Sequence, residues 1–154
     1  MTPMKRSLTA AAAFTLAAFA AHAQAPKPED QIKLRKAAYD MIGYSFGGIN
    51  AMAEGKRPYS KEDATRLSDL LVQVSMVPRL FFGEGTDKGE PATRAKPEIW
   101  THRADFDSKM DKMVAEAAKL PAIARSGDEA ALKRQAKAVG EACGACHDDY
   151  RVKR

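Results

Sequence analysis

Residues 141–154 read EACGACHDDYRVKR, and they carry both cysteines of the 154-residue chain, Cys143 and Cys146, with His147 directly after the second. Two cysteines in an exported chain normally suggest a disulfide. A bridge between positions three apart closes a loop too small to constrain the unfolded chain, so stapling the fold is not their purpose. A structural zinc site needs four ligands. Beyond the amino-terminal segment only one other histidine is present, His102, and the carboxylates stand in no ligand-like spacing. A thioredoxin-like redox pair needs a strand–helix–strand setting, and no stretch shows the apolar–polar alternation of a strand.

C-x-x-C-H is the attachment signature of a c-type haem. Residues three apart on a helix share a face, so Cys143 and Cys146 can add to the two vinyl groups on one porphyrin edge. His147 then brings its imidazole beneath the iron as proximal ligand. The expectation is one covalently bound haem c per chain.

The opposite end of the chain explains the exported setting. MTPMKRSLTAAAAFTLAAFAAHAQA has a basic start at Lys5 and Arg6, an apolar run and an A-x-A site before Gln24. Residues 1–23 read as a cleaved secretory signal, with the periplasm as destination; a retained anchor is the alternative. The run from Leu8 to Ala21 is too short to span a bilayer. Residues 24–154 are then one domain with a modest core. Losing Lys5 and Arg6 lowers the formal charge from +5 to +3. The remaining basic residues are dispersed, so neither a nucleic-acid stripe nor a membrane-binding segment is expected after cleavage.

Helical periodicity fills the domain. Leu34, Ala38, Met41, Ile42, Ser45, Ile49 and Met52 mark one face of a first helix over 30–54, with Gly43, Gly47 and Gly48 as places where a neighbour or a cofactor comes close. Ser60 caps a second helix, which buries Leu67, Leu70, Leu71, Val74 and Val77 and stops at Pro78. Residues 80–95 form a long glycine-rich loop, and its Phe81–Phe82 pair should fold back on the body. A third helix runs from Pro97 through Trp100, Phe106, Met110, Met113 and Ala117, with Pro121 ending or kinking it and Gly127 closing the segment. The fourth opens at SGDEAALKRQ and continues to Val152. The fold class is all-α, an antiparallel four-helix bundle.

The helix count, the KPEIW…F pattern and the terminal CGACHDDYR together resemble cytochrome c′, over essentially the whole of residues 24–154. That resemblance implies roles for further residues. In IKLRKAAYDMIG it makes Arg35 the partner of a haem propionate, helped by Lys36, since a buried propionate needs a cation. It sets Tyr39 at the open face of the haem, where low-spin relatives carry a methionine ligand. Met41, two residues on, is about 200° further round the helix and faces elsewhere. A neutral phenol, with a usual pKa near 10, is a poor ligand for ferrous iron. The iron is therefore expected to be five-coordinate and high-spin. Trp100 and Phe106 match aromatic positions near the haem, with Phe46 and Phe82 added, and together they make a dry pocket for small uncharged gases.

Arg151, four residues after His147, either steers a gas molecule on the proximal side or favours the carboxyl end of its helix through the macrodipole. Met52, Met76, Met110 and Met113 read as core filling, and His102 as a surface histidine. The resemblance points to a haem protein that takes up nitric oxide or carbon monoxide. A plain electron carrier with an unidentified periplasmic redox partner is the alternative. Enzymatic activity is not expected, because the distal face lacks an acid–base pair. A homodimer through the first two helices is implied by the same resemblance.

Overall fold

The computed structural model describes residues 26–153, so the expected signal segment 1–23 lies outside the described residues. Helix α1, Pro28–Ala53, begins with Pro28 in its first turn and with Glu29 and Asp30 near the positive end of its dipole. Its buried face is Gln31, Ile32, Arg35, Ala38, Ile42, Ser45, Ile49 and Met52. Leu34 and Met41, expected on that face, are each 43% exposed, and Tyr44 beside them is 61% exposed. The apolar residues of α1 form two stripes, because Leu34 and Met41 stand two turns apart on a line displaced from the buried one.

Helix α2, Lys61–Ser75, is capped as expected: the Ser60 hydroxyl accepts from the Asp63 N–H at 3.2 Å. It buries Ala64, Leu67, Ser68, Leu71 and Ser75, with Leu70, Val74 and Val77 only half-buried. It ends at Ser75, and Pro78 opens a single 3₁₀ turn over Pro78–Phe81. The expected third helix is broken into three pieces. Glu98–Thr101 forms α3, Arg103–Ala117 forms α4, and Leu120–Ser126 forms α5. The first break lies at His102, whose φ of −117° and ψ of 43° leave the helical region. Pro121 sits in the first turn of α5 and so starts a helix, where no N–H is missed. Gly127 ends α5 at φ 80°, in the left-handed region that suits glycine. Helix α6, Glu129–Tyr150, opens on Asp128, whose carboxylate accepts from the Ala131 N–H at 2.8 Å.

These elements make a four-helix bundle in which α3–α5 form the third leg. Helix α1 packs on α2 and α6, α4 packs on α6, and α5 closes against α2. One core cluster, including Ile42, Ile49, Leu67, Leu71, Leu120, Leu132 and Val139, fills the body. A second gathers Phe82, Ile99, Phe106, Met110, Met113, Ala142 and Tyr150 at the end that carries CGACH. Tyr39 and Cys143 touch both clusters. Among the described residues no helix is long and apolar enough to cross a membrane.

Only one of the three α1 glycines is closely approached by another part of the chain. A Cβ at Gly48 would meet Leu67 Cδ1 at 2.6 Å, whereas Gly43 and Gly47 have nothing within 4 Å. Gly48→Ala must displace a buried leucine and should cost about 1–3 kcal/mol. Gly43→Ala should stabilise by about 0.5–1 kcal/mol through helix propensity. Denaturant unfolding of the two variants checks both signs.

Candidate functional site

The last turns of α6 present Cys143, Cys146 and His147, all half-buried, and both cysteines are free thiols. Burial raises both thiol pKa values, that of Cys146 to about 11. At neutral pH these are protonated, poorly nucleophilic sulfurs. His147 is pushed the other way. Burial first, and then the guanidiniums of Arg151 and Arg94, hold its imidazole below the usual value, against a smaller opposing pull from Asp148. The neutral ring, the form that donates a lone pair to a metal, is thereby favoured.

Tyr39 reaches this end of the bundle from α1. Its hydroxyl donates to Met110 Sδ at 3.9 Å, and burial raises its pKa far above the ordinary phenol range, with Cys146 adding to the shift and Arg35 opposing it. The phenol is neutral at any physiological pH.

One turn earlier on α1, Arg35 is 2% exposed. Its guanidinium donates to the carbonyl of Phe81 at 3.0 Å, the hydroxyl of Thr86 at 3.2 Å, the carbonyl of Thr86 at 2.8 Å and the hydroxyl of Thr93 at 2.9 Å. It also lies 4.4 Å from the centre of the Phe82 ring. Lys36 stays exposed and donates to the Ala92 carbonyl at 3.1 Å. The loop 80–95 therefore folds back as expected, and Thr86 and Phe82 end up buried.

Phe82 starts an aromatic wall. Its ring centre is 5.9 Å from Trp100 and 4.8 Å from Phe106, and Phe106 meets Tyr150 edge-on at 5.4 Å. Trp100 is oriented by an Nε1–H bond of 3.0 Å to the Gly83 carbonyl. Phe46 does not join this wall. It packs with the body cluster, near Gly140, where an added Cβ would lie 3.6 Å from its ring. His102 is exposed, with Nδ1 3.1 Å from the Thr101 hydroxyl.

Arg151 departs from its expected setting. Helix α6 stops at Tyr150, and Arg151 is extended at φ −122° and ψ 128°, bridged antiparallel to Ala95. It does not share a helical face with His147, although its charge still reaches both His147 and Cys143. The helix yields here because Lys96 N–H takes the Tyr150 carbonyl at 3.0 Å and Val152 N–H takes the Arg94 carbonyl at 2.9 Å.

The cytochrome c′ family model matches residues 30–151. The chain belongs to the cytochrome c′ family. It is 39% identical over 130 residues to cytochrome c′ of Rubrivivax gelatinosus, covering 84% of this chain and 100% of the relative. The crystal structure of that protein superposes with a TM-score of 0.79. Cytochrome c′ of Alcaligenes xylosoxydans xylosoxydans is 35% identical over 131 residues, covering 85% of this chain and 100% of the relative. A solved nitric oxide complex of a point mutant of the Alcaligenes xylosoxidans cytochrome c prime gives a TM-score of 0.77 at 34% identity, over 85% of this chain and 100% of that one.

As a cytochrome c′, the chain carries one covalently attached haem c. The residues present fit that group. Cys143 and Cys146 are unpaired thiols one turn apart. Arg35 is a buried cation whose hydrogen bonds all end on carbonyls and hydroxyls, none on a carboxylate. A buried charge without a counter-ion is costly, and a haem propionate would supply the missing anion.

Sequence reasoning missed Thr86, Thr93, Arg94 and Asp105. The first three lie in or beside an irregular loop; the need of a buried Arg35 for acceptors points to the two threonines, and no local signal points to Arg94. Asp105, on α4, accepts from the Tyr150 hydroxyl at 2.5 Å and pairs with Lys109, which also reaches Asp149 at 3.2 Å. The Tyr150 hydroxyl, followed by Lys109, holds the Asp105 carboxyl below its usual range. A depressed native pKa contributes stability above the unfolded value near 4, and that contribution fades as pH falls. Asp105→Asn should therefore flatten the loss of stability as pH falls below about 4. Urea unfolding of the holoprotein across that range reads the slope directly.

Proposed function

We propose that this cytochrome c′ binds small uncharged gases, nitric oxide and carbon monoxide, at a five-coordinate, high-spin haem. Cys143 and Cys146 would hold the haem by adding their S–H bonds across its two vinyl groups, His147 would be the axial ligand, and Arg35 would meet a propionate. Bound in this way, the haem supplies an iron with one open coordination position. Lys36 would assist Arg35 at the propionate, and its bond to the Ala92 carbonyl also fixes the loop that Arg35 grips.

The observation that carries this reading is the pairing of Tyr39 and Met41. Tyr39 projects between the two core clusters next to Cys143, while Met41 is turned to solvent. At this end of the bundle helix α1 therefore presents a phenol and no buried thioether, and burial keeps that phenol protonated. A protonated phenol blocks access without ligating strongly. Phe82, Trp100 and Phe106 exclude water and anions from the neighbourhood, a condition that favours neutral diatomic ligands. No catalytic step is assigned, since hydrocarbon, thiol and thioether surround Tyr39 in place of an acid–base pair.

Electron carriage is a second reading, with one observation in its favour. Met110, 2% exposed, holds its sulfur 3.9 Å from the Tyr39 hydroxyl, within the same cluster as the two cysteines. A thioether there would give the iron two strong ligands.

Optical spectra of the oxidised, reduced and carbon monoxide-treated holoprotein separate the readings. Gas binding expects a high-spin reduced spectrum that changes on adding carbon monoxide. It also expects Tyr39→Met to convert the protein to a low-spin form that binds carbon monoxide at least tenfold more slowly. A low-spin wild-type spectrum, insensitive to carbon monoxide and made high-spin by Met110→Leu, supports the carrier.

The basic and apolar leader MTPMKRSL…AHA supports export to the periplasm. Leu34, Met41 and Tyr44, exposed in one line along α1, support a homodimer through the first helices, with Met76 and Leu80 as further exposed apolar residues. Met41→Glu should shift the protein from dimer to monomer in sedimentation equilibrium while leaving its optical spectrum unchanged.

A further inference from the structure

Residues 94–96 form a short extended strap against the end of α6. Val152 N–H donates to the Arg94 carbonyl at 2.9 Å, Lys96 N–H donates to the Tyr150 carbonyl at 3.0 Å, and Ala95 bridges Arg151. Arg151 N–H in turn donates to the His147 carbonyl at 3.1 Å. The other end of the strap is tied as well. The Thr93 hydroxyl accepts from Arg35 at 2.9 Å and from the Ala95 N–H at 3.1 Å. Arg94 is thus held at the proximal end of the site from both directions.

Arg94 and Arg151 are both exposed, and neither enters an ion pair among the described residues. The nearby acids are engaged elsewhere, Asp148 with Lys153 at 3.4 Å and Asp149 with Lys109 at 3.2 Å. We propose that Arg94 is a second proximal cation, held beside Arg151 by the strap, and that the pair raises the reduction potential of the haem borne by His147. On reduction the ferric haem takes one electron from an external donor, with no bond made or broken. Fixed positive charge nearby favours the state that holds the extra electron.

This inference rests on His147 as the iron ligand. The strap uses only the backbone carbonyl of Arg94, so substituting its side chain removes the charge and leaves the strap. In mediated redox titrations of the holoprotein, Arg94→Gln should lower the midpoint potential, Arg94→Lys should leave it near the wild-type value, and Arg94→Gln/Arg151→Gln should lower it further than either single variant. The Arg94→Gln shift should shrink from low salt to 1 M salt, because both groups are exposed to screening. An unchanged thermal unfolding midpoint for Arg94→Gln supports an intact strap. A potential equal to wild type in Arg94→Gln, or an equal shift in Arg94→Lys, overturns the assignment. If His147→Ala kept the wild-type haem spectrum, the ligand reading and the Arg94 assignment would fall together. An altered His147→Ala spectrum beside an unshifted Arg94→Gln would remove the Arg94 assignment alone.

Discussion

A single buried guanidinium organises the functional end of this bundle. Taking Arg35 out of water costs several kcal/mol unless its donors are met, and no other helix brings it an acid. The 3₁₀ turn and the loop after it supply neutral acceptors instead, wrapping α1 so that two carbonyls and two threonine hydroxyls face the charge. Gln31 and Lys36 pin the same loop on either side, Gln31 by accepting the Gly83 N–H at 3.2 Å and Lys36 through Ala92. Neutral acceptors satisfy the hydrogen bonds but leave the charge itself unmatched. A haem propionate has the charge to match it.

Once the loop is pinned, the aromatic wall follows. Phe82 lies against the Arg35 guanidinium and offers its other contacts to Trp100 and Phe106. Two side chains of the third leg then anchor the loop backbone, Trp100 on the Gly83 carbonyl and Arg103 on the Phe82 carbonyl at 3.2 Å. Beyond Thr93 the chain continues straight into the strap at the end of α6. One segment thus binds the Arg35 side of the site and the His147 side together. A disturbance of either end has a covalent path of only a few residues to the other.

Much of the architecture was legible because it is periodic and local. The Ser60 cap, the Gly127 stop and the burial of Ile42, Ile49, Leu67 and Leu71 follow from spacing and from backbone chemistry within one turn. The misreadings also have physical causes. Leu34 and Met41 are as apolar as their neighbours, and hydropathy alone cannot separate a core stripe from an exposed one displaced by part of a turn. The break at His102 carries no proline or glycine signal. It arises where Trp100 and Arg103 each reach back to the loop, a demand that appears only once the loop is folded. Arg151 leaves the helix for a comparable reason, since Lys96 supplies an alternative partner for the Tyr150 carbonyl.

The sequence by itself determined the cofactor chemistry and the helical character. Cys143, Cys146 and His147 are five consecutive positions' worth of information, and helix geometry turns that spacing into one face. Tertiary structure alone decided which charges and rings surround that face. Thr86, Thr93 and Arg94 lie roughly fifty residues or more from both Arg35 and His147 in the chain, and no local pattern encodes a partner at that distance. The threonines answer the cost of burying Arg35 unsatisfied, and Arg94 follows from the pairing of the strap with the end of α6, both of which only the packed bundle imposes.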